Sequence, residues 1–215
     1  MIKFENVEVK FNDNYLLKDL NFTIEKGDKF LIYGQSGIGK TTIFRLLLGF
    51  EFPQQGNIYF EEKTLDVNTI WDIRKRVAYV SQNLDIGSGS VSRIIQHAFS
   101  YKSNTHLTFS EERLRELLSF FRLKESILSE DFEKLSGGEK QRIAIIIAVL
   151  LRRDIFLLDE ATSSLDIELK NKVIKHFIEK REWTVLAISH DTVWLSRPGL
   201  KVFNLDNNHA HSRNI

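Results

Sequence analysis

The sequence predicts an α/β fold: a mainly parallel sheet with a β-rich start and a helical insert in its middle. Three changes of texture along the chain carry that reading. The opening stretch alternates apolar and polar residues, the middle runs in helical period, and the last third returns to apolar strands separated by amphipathic helices.

Taken in order, "IKFENVEVKF", "NFTIEKGDKFLIYG" and "GNIYFEEKTL" read as strands broken at Gly27, Gly34, Pro53 and Gly56. "TTIFRLLLGF" follows a glycine-rich loop and sets Ile43, Leu46 and Leu47 at helical spacing, which makes a strand, loop, helix unit. After "RVAYVSQ" the pattern turns helical. In "FSEERLRELLSFFRL" Leu114, Leu117, Leu118 and Phe121 share one face, and Thr108 with Glu111 has the spacing of a capping box. The β/α rhythm then resumes with strand "IFLLDE", helix "LDIELKNKVIKHFIEKR" and strand "TVLAISH". The implied division is a single domain, 1–215, with residues 1–82 and 135–215 forming the core with its N-terminal β subdomain and 83–134 the helical subdomain.

Composition narrows the function. Thirty basic against 29 acidic residues leave a formal charge of +1, so no overall field draws the chain to nucleic acid, and none is expected as a partner. The absence of cysteine excludes disulfides and thiolate metal sites and fits a reducing cytoplasm. The N-terminus lacks the basic start and apolar run of a signal peptide. The apolar run "IAIIIAVLL", Ile143 to Leu151, has nine residues, well short of the roughly 20 that span a bilayer, and reads as a buried helix.

The chemistry starts at "GQSGIGKTT", Gly34 to Thr42. Gly34, Gly39, Lys40 and Thr41 satisfy G-x-x-x-x-G-K-[ST], a loop whose backbone N–H groups face phosphate oxygens at the positive end of a helix. Gln35, Ser36, Gly37, Ile38 and Thr42 complete it. Lys40 would reach the β- and γ-phosphates of a nucleotide and Thr41 would coordinate Mg²⁺. Downstream, "IFLLDE" has the character of a buried parallel strand ending in two carboxylates, where open α/β sheets bind ligands. Asp159 would hold the metal and Glu160 would orient or deprotonate a water. Alone such a strand end is commonplace; after a phosphate loop it gains meaning. Gln82 and His190 also follow apolar strands that should converge on the same sheet edge.

In order, these residues resemble the ATP-binding subunits of ABC transporters, from Phe4 to about Leu205. The resemblance is carried by the phosphate loop, Gln82 of "YVSQ", the signature "LSGGEKQR", the Walker B strand "IFLLDE", the D-loop "SSLD" and His190 of "ISHD". It implies a P-loop NTPase core of RecA-like type and an ATPase using ATP and Mg²⁺. It further implies that Gln82 touches Mg²⁺ and the attacking water, that His190 contacts the γ-phosphate and that Phe11, or else Tyr15, stacks on adenine. Ser136, Gly137, Gly138 and Glu139 of the signature would cap ATP bound to a second copy of the chain or a homologous subunit, and Asp166 would link the two nucleotide sites. The implied partners are that second ATPase subunit and transmembrane permease subunits, driven through a groove around the Gln82 loop and the helical insert. The implied location is cytoplasmic, peripheral on the inner face of the cell membrane. A soluble ATPase of the same superfamily, such as one serving cluster assembly, is the alternative. Glu139 in place of the commoner glutamine, Ala161 after the Walker B glutamate and Ser164 in the D-loop depart from the family pattern without touching the hydrolytic residues.

Overall fold

The computed structural model describes residues 1–12 and 14–210. Its elements in chain order are β1 (Ile2–Phe11), β2 (Asn14–Ile24), β3 (Lys29–Tyr33), α1 (Lys40–Leu47), β4 (Gln55–Phe60), β5 (Lys63–Thr64), α2 (Ile70–Arg74) and β6 (Val77–Val80). There follow α3 (Val91–Ser100), α4 (Glu111–Phe120), α5 (Gly137–Leu150), β7 (Ile155–Asp159), α6 (Ile167–Glu179), β8 (Thr184–Ile188), α7 (Thr192–Leu195), β9 (Leu200–Asn204) and α8 (Leu205–Ala210).

Two sheets organise the described residues. An antiparallel sheet has the order β2-β1-β4-β5, and a second sheet has the order β6-β7-β8-β3-β9 with every adjacent pair parallel. The parallel sheet divides two hydrophobic cores, and the alternation of its strands feeds both. Phe156 and Leu158 of β7 face the core built with α3, α4, α5 and α6, while Ile155 and Leu157 face the core shared with α1 and the antiparallel sheet. Val185 and Ala187 of β8 go to the first core, Leu186 and Ile188 to the second. Strands buried on both faces show continuous apolar runs because neither face meets water. Helix α5 is buried nearly all round, as its run of isoleucines implies.

Between β6 and β7 the chain is helical, with α3, α4, short 3-10 turns at Lys102–Asn104, Glu125–Ser129 and Phe132–Lys134, and then α5. The cap of α4 is not where the Thr108–Glu111 spacing puts it. Ser110 is the N-cap, accepting a hydrogen bond from the Arg113 N–H at 3.1 Å, with Glu111 and Glu112 in the first turn. Phe109 packs edge-on against Phe99 of α3, ring centroids 5.2 Å apart, which keeps the chain extended up to Ser110. The stretch read as one strand in "GNIYFEEKTL" is a hairpin. Glu61 and Glu62 turn it with φ of 49° and 69°, and the Glu61 N–H is held by the Met1 carbonyl at 2.8 Å.

Candidate active site

Because β6, β7, β8 and β3 are adjacent and parallel, their carboxyl ends lie along one edge of the sheet. The loops leaving that edge carry Gln82, Asp159 with Glu160, His190 and the phosphate loop. They line one cleft of about 620 Å³ together with Leu16, Tyr33, Ser163, Ile188 and Asp206. That volume is in the range of a small-molecule site. The cleft takes in Gly34, Gln35, Ser36, Gly37, Gly39, Lys40, Thr41 and Thr42 of the loop. Ile38 is the exception; its side chain packs on the second core.

The loop is built by local constraint. Gly39 caps α1 in the left-handed region with φ of 104°, and a Cβ there would stand 3.0 Å from Leu17. The first turn of α1 has no acidic residue and no side-chain cap, so its N–H groups remain available to an anion. Lys40 is nearly buried and its ammonium donates to the carbonyls of Gly34 and Gln35 at 2.7 and 2.8 Å. It spans the mouth of the loop.

At the end of the loop the Thr41 hydroxyl donates to Asp159 Oδ2 at 2.9 Å, and the Tyr79 hydroxyl approaches the same oxygen at 3.4 Å. Burial raises the Asp159 carboxyl above its ordinary value, partly offset by those two hydroxyls. Its Oδ1 is buried without a partner, and so is Glu160 Oε2. The other Glu160 oxygen, Oε1, lies 2.9 Å from His190 Nδ1, and the imidazole is largely exposed. Two bare carboxylate oxygens beside a threonine hydroxyl suit a hard cation that keeps waters and substrate oxygens among its ligands. Mg²⁺ fits that donor set through Thr41 and Asp159. Among the described residues no cluster of three His, Cys, Asp or Glu forms a cage of its own.

The remaining expected residues sit elsewhere. Ser136 caps α5 in a complete capping box: its hydroxyl accepts from the Glu139 N–H at 3.3 Å, and Glu139 Oε2 accepts from the Ser136 N–H at 2.9 Å. The Glu139 carboxylate is thus engaged in the cap, and the Ser136 hydroxyl lowers its pKa. Ser136, Gly137, Gly138 and Glu139 do not line the cleft, and neither does Asp166, whose Oδ1 caps α6 through the Leu169 N–H at 2.9 Å. Phe11 and Tyr15 are exposed on the β1–β2 pair outside the cleft lining, with Lys10 and Lys18 over the Tyr15 ring at 4.5 and 5.2 Å. Sequence reasoning assigned nothing to Asp206, which accepts from the Gln35 N–H at 3.1 Å, or to Gln141, which bonds the Glu160 carbonyl at 3.0 Å. Those contacts span 171 and 19 residues, so no local pattern announces them.

The family model described as ABC transporter matches residues 17–163. The chain belongs to the ABC transporter family. It is 36% identical over 200 residues, 89% of its length and 71% of the relative's, to the energy-coupling factor transporter ATP-binding protein EcfA of Enterococcus faecium. Its fold matches the dimeric structure of MJ0796, a bacterial ABC transporter cassette, with a TM-score of 0.78 and 26% identity over 95% of both chains. MJ0796 in a post-hydrolysis state bound to ADP and Pi matches equally, at a TM-score of 0.78. The cbiO1 protein of Clostridium perfringens, part of the ABC transporter complex cbiONQ, gives 0.69 with 26% identity over 88% of this chain and 78% of that one. This ABC protein is accordingly an ATP-binding and ATP-hydrolysing transporter subunit, and the cleft at the sheet edge is where its geometry supports that chemistry.

Proposed function

We propose that this subunit hydrolyses Mg-ATP with Glu160 as the base for the attacking water, as one of two copies that close around two nucleotides and drive permease subunits. The observation that carries this reading is the meeting of Asp159, Glu160 and His190 at one edge with Thr41 of the phosphate loop, two carboxylate oxygens being without a partner. The loop N–H groups and Lys40 bind and orient the phosphates. Glu160 Oε2, buried without a hydrogen-bond partner, would accept a proton from the attacking water, while His190 holds the other oxygen in place. Gln82, which follows β6 and lines the same cleft, would orient that water. Thr41, Asp159 and Gln82 would hold Mg²⁺, which would supply charge neutralisation of the transferred phosphoryl group.

The signature residues and Asp166 lie away from their own cleft, which supports their assignment to a nucleotide on the second copy, and MJ0796 is described as dimeric. Adenine stacking is assigned to Phe11, whose ring makes no aromatic contact among the described residues. Residues 83–134 are proposed as the helical subdomain. A groove of about 400 Å³, lined by Tyr79, Leu84, Ile86, His97, Tyr101 and Ile147, opens beside the Gln82 loop and suits a permease segment. No described helix is long and apolar enough to cross a membrane, so attachment at the cytoplasmic face would run through that partner. The energy-coupling factor relative supports a transporter of that kind.

Glu160→Gln should keep ATP binding and lower phosphate release by roughly 10²-fold or more, the scale of losing a general base. Turnover within a few-fold of wild type in a steady-state phosphate assay would remove Glu160 from that role.

A further inference from the structure

Glu160 sits in the left-handed region, with φ of 50°. A residue with a Cβ persists there only when its surroundings over-determine it. Its N–H donates to the Ile188 carbonyl of β8 at 2.9 Å, and its carbonyl accepts from the Ser163 N–H at 3.1 Å. The third hold comes from α5. Gln141, 3% exposed, donates from Nε2 to the Glu160 carbonyl at 3.0 Å and lies 3.4 Å from the Ser163 hydroxyl, while its Oε1 accepts from the Ser164 N–H at 3.0 Å. Both ends of the amide are used, so its orientation is set by its partners. The approach that makes this possible depends on Gly138, where a Cβ would stand 3.0 Å from the Ser164 carbonyl.

We propose that Gln141 is a positioning residue for the hydrolytic step, holding the strained Glu160 peptide so that the carboxylate faces the attacking water. This rests on the assignment of Glu160 as the base. Gln141 does not itself line the cleft and reaches it only through Glu160 and Ser163. Its effect should therefore fall on turnover and not on binding. Without the Nε2 donation the Glu160 peptide keeps only its bonds to Ile188 and Ser163 and shifts, and the carboxylate turns with it. Displacements of about 1 Å at a reacting group can cost on the order of 10²-fold in rate.

The test is a double-mutant cycle on purified protein, reading both kcat for phosphate release and the Kd of ATP. Gln141→Met removes both hydrogen bonds at similar volume. Gln141→Glu keeps the acceptor for the Ser164 N–H, replaces the donor to Glu160 and serves where the methionine variant does not fold. Either should lower kcat about 10-fold or more with the Kd of ATP within about threefold, and change the residual turnover of Glu160→Gln by less than about twofold. Equal losses in the wild-type and Glu160→Gln backgrounds would overturn the proposal, as would a loss of ATP affinity that accounts for the rate, since both describe packing alone. Near-wild-type turnover in Glu160→Gln itself would instead overturn the base assignment and Gln141's role with it.

Discussion

Asp159 shows how one residue's environment trades stability for chemistry. It is 1% exposed, its Oδ1 is bare, and burial raises its pKa. The folded state therefore holds the proton more tightly than the unfolded chain, whose carboxyl titrates near 3.8. As pH rises from that value through the raised folded one, the folded state binds more protons than the unfolded, so stability falls with pH and the cost is fully present above the window. Asp159→Asn should thus raise the melting temperature of nucleotide-free, magnesium-free protein at pH 7.5 by a few degrees, with a smaller gain at pH 4.5. A variant less stable than wild type at pH 7.5 would show that the bare oxygen does not destabilise the fold. The same residue was legible in the sequence as the end of an apolar strand. Its bond to Thr41, 118 residues away, was not.

At the level of the element, helix ends depend on packing that sequence spacing alone does not contain. The Thr108–Glu111 spacing satisfies the capping-box pattern, yet the contact between Phe99 and Phe109 delays the helix to Ser110. Ser110→Ala should cost about 1 kcal/mol in urea denaturation and Thr108→Ala less than about 0.5 kcal/mol. The reverse order would restore the cap to Thr108. The signature capping box behaves differently. Ser136 and Glu139 sit at the start of a long helix whose apolar residues are buried nearly all round, so local pattern and packing agree there. In the β4–β5 hairpin, Glu61 and Glu62 occupy left-handed positions that usually favour Asn or Gly. No turn signal marks them, because the Met1 carbonyl and an ion pair between Glu61 and Arg76 hold the turn from outside it.

For the whole molecule, the two cores on either side of the parallel sheet bring the ends of β3, β6, β7 and β8 to a common edge. The same arrangement leaves the signature turn and Asp166 outside the chain's own cleft. A subunit built this way should complete its site with a second copy. In Glu160→Gln, Mg-ATP should shift the protein from monomer to dimer in size exclusion with light scattering, and adding Lys40→Ala should abolish the shift. Lys40 bridges the phosphate loop through the Gly34 and Gln35 carbonyls, so its loss removes both loop support and phosphate charge. A dimer that forms equally well without nucleotide, or in the Lys40→Ala protein, would separate association from the ATP site.

By itself the sequence determined the fold class, the succession of a β-rich start, a helical middle and a β/α end, and the strand-end residues Gln82, Asp159, Glu160 and His190. Each of these is written in short-range periodicity: alternation where a strand has two faces, continuous apolar runs where both are buried, and a glycine loop where backbone must approach phosphate. Tertiary structure alone decided which strand lies beside which. It also decided that Glu160 adopts a left-handed backbone held by Ile188, Ser163 and Gln141, and that Asp206 supports the phosphate loop. Apart from the local bond to Ser163, those facts depend on groups 19 to 171 residues apart meeting at hydrogen-bond distance, which is a property of packing and leaves no mark in the local order of side chains.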